Sequence, residues 1–346
     1  MSHAKLAEGV LRADARSVAR AMRAVDDGSP GYRDLLKALW SHTGRGWVLG
    51  VTGNPGAGKS TLCDRLIETY RAGGNRVGVV AVDPSSPYSG GAILGDRVRM
   101  SRHASDEGVF IRSLATRGHL GGLSRSARDV VRVLDAASFD VIVVETVGVG
   151  QDEIEVTRTA HSTLVVMAPG LGDEVQASKA GILECADVFA VNKADREGVE
   201  ATVRDLELMI SLGDDSLLAL SKTRGHATHG AADGFARPAP AGEARGDTGR
   251  WTPPILKCVA TRGDGVGDVV AALDRHRAWV QGTEAGRARS RARLAEQMRE
   301  ALREALIGVA VADLSAKIDE AVARVDARIV DPYTATEDLV AAFRAR

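Results

Sequence analysis

Residues 53–60 read Gly53-Asn54-Pro55-Gly56-Ala57-Gly58-Lys59-Ser60, a complete G-x-x-x-x-G-K-[ST] pattern. The apolar run Trp47-Val48-Leu49-Gly50-Val51-Thr52 precedes it, and Ser60-Thr61-Leu62-Cys63-Asp64-Arg65-Leu66-Ile67-Glu68 follows with apolar residues at helical spacing. No other feature constrains the fold so tightly, because such a loop needs a buried parallel strand ahead of it and a helix N-terminus behind. Its glycines let backbone N–H groups converge on phosphate oxygens, and the helix adds the positive end of its dipole. Lys59 would reach the β- and γ-phosphates of a nucleoside triphosphate, and the Ser60 hydroxyl would bind Mg²⁺.

The base is indicated further along. Asp187-Val188-Phe189-Ala190-Val191 reads as another buried strand and ends in Asn192-Lys193-Ala194-Asp195. An N-K-x-D sequence at the carboxyl end of a strand suits guanine. The Asp195 carboxylate can accept from N1–H and from the exocyclic amine, whereas adenine would leave it unpaired. GTP is therefore expected over ATP.

The strand candidates are 47–52, 77–82, 109–112, 140–145, 163–168, 187–191 and 255–259, separated by helical segments. This alternation predicts an α/β fold, a mostly parallel sheet with helices on both faces and the ligand at the strands' carboxyl ends. Residues 1–45 are expected as an N-terminal helical arm. Leu6, Val10, Leu11, Val18, Met22 and Val25 share one face, and Gly28-Ser29-Pro30-Gly31 breaks it before a second short helix. The nucleotide domain is placed at 46–282, with a mobile insertion over 212–250 that is rich in Gly, Ala, Asp, Thr and Pro and contains His226 and His229. Residues 283–346 read as amphipathic helices for dimerisation, with Leu294, Met298, Leu302 and Leu306 on one face and then Val322, Val325 and Ile329.

Composition narrows the classes further. Across 346 residues, 45 Lys and Arg balance 46 Asp and Glu, so no nucleic-acid or anionic-membrane surface is expected. The arginines of Arg287-Ala288-Arg289-Ser290-Arg291-Ala292-Arg293 read as a solvated helix face. No secretory leader and no run near the ~20 apolar residues of a membrane helix is visible. Cys63, Cys185 and Cys258 lack metal spacing and read as reduced core residues of a cytoplasmic protein.

Three carboxylates stand where a triphosphate would repel them unless a cation intervened: Asp83 in Asp83-Pro84-Ser85-Ser86, Asp96 in Gly95-Asp96-Arg97, and Glu145 in Glu145-Thr146-Val147-Gly148. They make sense as direct or water-mediated Mg²⁺ partners. An acid after a strand also commonly caps the next helix, which competes for Asp83 and Asp96 more than for Glu145. The Gly148 N–H could meet the γ-phosphate and draw its segment inward.

Taken in order, Gly53–Thr61, V-D-P-S-S at 82–86, G-D-R-V-R-M at 95–100, E-T-V-G-V-G-Q at 145–151, G-D-E-V-Q at 172–176 with Lys179, and N-K-A-D at 192–195 resemble the MeaB/MMAA family, also known as ArgK, within the SIMIBI class of P-loop GTPases. The resemblance implies a homodimeric GTPase chaperone that gates cobalamin loading and protects an adenosylcobalamin-dependent acyl-CoA mutase, usually methylmalonyl-CoA mutase. It implies phosphate contacts from Gly53 to Thr61, Mg²⁺ at Ser60 with Asp83, Asp96 and Glu145 nearby, and guanine contacts at Asn192, Lys193 and Asp195. It also implies a base-contacting loop at Val259-Ala260-Thr261, acting through a backbone N–H, and a partner-facing switch from Gly172 to Lys179. Two departures stand out: the long insertion at 212–250, and Gln176-Ala177-Ser178 before Lys179, where Gln-Gly-Ile is commoner. Two other classes compete. A nickel-inserting GTPase would need thiol or imidazole ligands, and no C-x-x-C or His-rich tract is present. A small-molecule kinase would pass phosphate to an acceptor.

Overall fold

The structure is a computed structural model that describes residues 3–83, 100–103, 105–115, 122–146, 158–170, 185–223 and 249–345. Seven strands form one sheet: β1 (Trp47–Gly53), β2 (Val77–Asp83), β3 (Val109–Ala115), β4 (Val141–Thr146), β5 (Ser162–Met167), β6 (Val188–Val191) and β7 (Ile255–Lys257). Their order is β3-β2-β4-β1-β5-β6-β7, and every neighbouring pair is parallel. The predicted parallel α/β sheet is thus the observed one. The last strand stops at Lys257 rather than 259, because Val259 leaves the sheet to bridge Asp264.

Side-chain alternation builds two layers against this sheet. Val48, Val80, Val82, Ile142 and Val144 face the helix α5 (Gly122–Ala136), whereas Leu49, Val51, Val141, Val143, Leu164 and Val188 face α4 (Lys59–Ala72) and α7 (Val266–Gly282). A third apolar cluster joins Val165, Met167, Phe189 and Val191 to Leu206 of α6 (Val199–Thr223). Because both faces are covered, the strands read as unbroken apolar runs rather than as alternating ones.

The N-terminal segment forms three helices, not two: α1 (His3–Leu11), α2 (Ala15–Asp26) and α3 (Tyr32–Leu39). The unforeseen break falls at Ala13, whose φ of 56° is left-handed, and at Asp14, whose carboxylate accepts from the Ser17 N–H and caps α2. These helices share one core with α5. The end of α2 is tied down by Asp26, which accepts from the Ser126 Oγ at 2.7 Å and lies 3.6 Å from the Arg112 guanidinium.

Two other expectations change. The helix α6 continues past 212 to Thr223, because Leu217, Leu218, Ala219 and Leu220 are helix formers; His226, His229 and the rest of the proposed insertion up to 248 lie outside the described residues. Cys185 is half-buried rather than core, while Cys63 and Cys258 are buried.

Residues 1–290 form one compact unit and 291–346 a second. The helix α8 (Glu284–Asp326) runs from the first into the second, and α9 (Pro332–Arg344) follows. Asp331 caps α9 by accepting from the Tyr333 and Thr334 N–H groups, ahead of Pro332 at the first turn. Leu294, Met298, Leu302, Leu306 and Val322 of α8 are exposed.

The arginine run is not wholly solvated, because Arg289 reaches the buried Asp187 at 2.6 Å. Asp187 also accepts from the Thr163 N–H at 2.8 Å and lies 3.4 Å from Nε2 of the fully buried His276. Nδ1 of His276 is 2.7 Å from the Ser162 Oγ, which accepts from the Trp47 Nε1 at 3.1 Å. With the imidazole proton on Nε2, His276 points a donor at Asp187 and its Nδ1 can accept from the Ser162 hydroxyl. Asp187→Ala would leave the Arg289 charge and the imidazole without their carboxylate, so unfolding in urea should show a loss of about 3 kcal/mol or more.

Candidate functional site

The carboxyl edge of the sheet gathers the motifs. β1 lies between β4 and β5, so the loop it feeds emerges at the centre. Gly53 adopts a φ of 135°, and a Cβ there would collide with the Val166 carbonyl of β5. Gly58, at φ 91°, forms the N-terminal cap of α4, and a Cβ there would collide with the Asn192 amide. Between them Pro55 and Gly56 are exposed, and Asn54 and Ala57 are buried. Lys59 and Ser60 open the helix, with Thr61 exposed on its first turn. The Lys59 Nζ is buried and donates to the Gly53 and Asn54 carbonyls at 2.7 and 3.1 Å. The loop's own carbonyl dipoles therefore hold the ammonium at its mouth.

The guanine candidates stand directly beside this loop. Asn192 N–H bonds to the Met167 carbonyl as β6 ends. Its buried side chain donates from Nδ2 to the Ala57 carbonyl at 2.8 Å and accepts through Oδ1 from the Ala260 N–H at 2.9 Å. Cys258, whose thiol burial pushes up to about 11, stays protonated and directs its S–H to the same Oδ1 at 3.8 Å. Lys193 takes a left-handed φ of 59°, which turns its Nζ onto the Gly56 carbonyl at 2.6 Å. The Asp195 carboxylate is exposed, 3.4 Å from the Arg262 guanidinium, and Arg262 is also held by Asp264 at 2.7 Å.

The loop at 259–261 is expected to meet the base through a backbone N–H, and its three N–H groups differ in their partners. The Val259 N–H is taken by the Asp264 carbonyl at 2.9 Å, and the Ala260 N–H by Asn192. Among the described residues, only the Thr261 N–H of the three has no acceptor within the protein. Sequence could not show this, because backbone partners are chosen by tertiary packing.

Among the expected metal candidates, Ser60 sits half-buried in the first turn of α4, and Glu145 is 1% exposed at the end of β4, in register with Val51 and Ala81. The Asp83 backbone ends β2, but its carboxylate lies outside the described residues, as do Asp96, Gly148 and the 172–179 segment with Lys179. No group of three His, Cys, Asp or Glu that could hold a metal occurs among the described residues. A hydroxyl and a buried carboxylate beside a phosphate loop nevertheless fit Mg²⁺, which takes few protein oxygens and keeps its waters.

A glycine-rich loop between a central parallel strand and a helix, bonded side chain to backbone to an N-K-x-D element, defines a P-loop GTPase. The chain belongs to the family described as "Methylmalonyl Co-A mutase-associated GTPase MeaB", whose profile matches residues 18–315. It is 38% identical over 336 residues to a provisionally named GTPase of Pyrococcus abyssi, covering 96% of this chain and 94% of that one. It is also 38% identical over 202 residues to a fused isobutyryl-CoA mutase of Cupriavidus metallidurans, covering 57% of this chain and 18% of that protein. A crystal structure titled "LAO/AO transport system kinase" superposes with a TM-score of 0.63 at 24% identity, over 99% of this chain and 97% of that one, which supports the fold.

Asn192 joins the two loops, so its removal should register on both. Asn192→Ala should weaken GDP and GTP binding about tenfold or more and cost about 1–3 kcal/mol of stability, read by isothermal calorimetry and urea unfolding.

Proposed function

We propose that this GTPase is a chaperone of an adenosylcobalamin-dependent acyl-CoA mutase, coupling GTP hydrolysis to cobalamin loading and to protection of the mutase. The observation that carries this reading is the 202-residue likeness to a protein named as a fused isobutyryl-CoA mutase. A GTPase-like segment within a mutase chain sees that mutase at a high effective concentration, and a separate chain of the same family would meet its mutase by association instead. Methylmalonyl-CoA mutase, named in the family's description, is the first candidate.

In this reading Gly53 to Thr61 cradle the phosphates, with Lys59 on the β- and γ-phosphates. Asn192, Lys193, Asp195 and the 259–261 loop select guanine. Ser60 and Glu145, with Asp83 and Asp96, would hold Mg²⁺, which when bound would supply positive charge beside the phosphate oxygens for hydrolysis by water. Gly148 would sense the γ-phosphate, and the segment 172–179, through Lys179, would pass that state to the mutase. In sequence Lys179 belongs to neither the phosphate motif nor the guanine motif, so Lys179→Ala should leave nucleotide affinity and basal hydrolysis near those of the parent. Phosphate release with purified methylmalonyl-CoA mutase added should then lose most of its stimulation. No stimulation of the parent by any acyl-CoA mutase would refute the chaperone role, and parent-like stimulation of the variant would remove Lys179 from the coupling.

The same reading makes the protein a cytoplasmic homodimer, with a second copy covering the exposed apolar residues of α8. Among the described residues no helix is long and apolar enough to cross a membrane. Met298→Asp combined with Leu302→Asp should convert a dimer to a monomer in sedimentation at micromolar concentration, with GTP binding retained. A monomeric parent under the same conditions would contradict it.

A further inference from the structure

The outward face of α4 carries a contact that neither the phosphate motif nor the guanine motif explains. Leu62, Cys63, Leu66, Ile67 and Tyr70 turn inward, which leaves Asp64, Arg65 and Glu68 on the opposite side. Arg65 does not extend into solvent. Its Nε donates to the Ala260 carbonyl at 3.0 Å and its Nη2 to the Thr261 carbonyl at 2.9 Å. The remaining arm, Nη1, donates to Glu68 at 2.8 Å, and that bond, first among several causes, holds the Glu68 carboxyl below its usual range. Glu68 is braced in turn by Arg102, 3.5 Å away, which also binds Asp64. The guanidinium is thus fixed on three sides.

A peptide unit is planar and trans, so its C=O and N–H point in opposite directions. Fixing the Ala260 carbonyl against Arg65 therefore fixes the N–H of the same unit, which belongs to Thr261, to point away from α4. Fixing the Thr261 carbonyl does likewise for the Arg262 N–H, which bonds back to the Val259 carbonyl at 3.0 Å and closes the turn. Of these N–H groups only that of Thr261 is left with no acceptor among the described residues. A rigid fork spanning two successive carbonyls sets this direction; a lysine ammonium, a single point of charge, would not.

We infer that Arg65 is a positioning residue for guanine recognition: it aims the Thr261 N–H, through the Ala260–Thr261 peptide, at the 6-oxo group of the base. This assignment rests on the guanine reading of Asn192-Lys193-Ala194-Asp195, and the test separates the two. GDP, 6-thio-GDP (a poor acceptor at position 6), IDP (lacking the amine that pairs with Asp195) and ADP are titrated by calorimetry into the full-length parent, Arg65→Ala and Arg65→Gln. The parent should prefer GDP over all three. Arg65→Ala should bind GDP about tenfold more weakly while its affinity for 6-thio-GDP changes little, and the GDP-to-IDP ratio should stay at the parent value. Arg65→Gln, which keeps one donor and most of the volume, should fall between them and carries the test if the alanine variant does not fold. Equal weakening of GDP, 6-thio-GDP and IDP would show a purely structural staple, and unchanged GDP binding would show no role; either overturns the assignment. Equal binding of GDP and ADP by the parent would overturn the guanine reading and this assignment with it.

Discussion

Asn192 is the contact on which the site's geometry hangs. One amide donates to the phosphate loop at Ala57 and accepts from the 259–261 loop at Ala260, so the phosphate loop and the loop proposed to meet the base share a single buried side chain. The arrangement has a steric condition. The amide occupies the space that any side chain at position 58 would need, which is why that position is glycine as well as being the left-handed cap of α4. Lys193 adds a second tie by turning onto the Gly56 carbonyl. The phosphate loop and the proposed base-reading elements are therefore parts of one hydrogen-bonded body, and a shift of β6 along its axis would move both.

What keeps β6 from shifting lies at its other end. Asp187 stands just ahead of the strand, buried against Arg289 and close to His276, and its carbonyl also accepts from the Trp251 indole at 2.8 Å. A buried carboxylate is costly unless its oxygens are filled by donors, and here the Thr163 amide and the Arg289 guanidinium fill them. α7 runs between the two poles. It begins just after the 259–261 loop, at Val266, and carries His276 toward its far end. The N-K-x-D edge and the ionic cluster are thus linked twice, once through β6 and once through α7.

The sheet was legible because burial on both faces writes each strand as a continuous apolar run, and the phosphate loop then fixes which strand is central. The Lys59, Asn192 and Asp195 positions followed from motifs whose spacing is local. Where the structure departs from the pattern, the deciding partner is distant. The apolar face from Leu6 to Val25 keeps helical spacing across the break at Ala13, since α1 and α2 enter the same core. Only Asp14, three residues before Ser17, signals the new start. Arg289 sits in a run whose composition suggests solvent, yet its carboxylate partner lies at the foot of β6. Arg65 looks like an ordinary exposed position on α4 until the 260–261 carbonyls are placed beside it.

The helix α8 carries its apolar residues differently from those of the sheet helices. Leu294, Met298, Leu302 and Leu306 recur every four residues, whereas a helix turns once in about 3.6, so the stripe drifts around the axis by about 40° per step. A coiled-coil seam needs a 3.5-residue repeat to stay facing its partner. A row at i, i+4 instead forms a ridge inclined to the axis, which packs into the grooves of another helix at a crossing near −50°. Ile307, Val309 and Val311 broaden the exposed surface where that ridge ends. The dimer proposed above would accordingly meet through a short oblique crossing centred near Leu302, not along the whole helix, and charges at positions such as 298 and 302 would act where contact is densest.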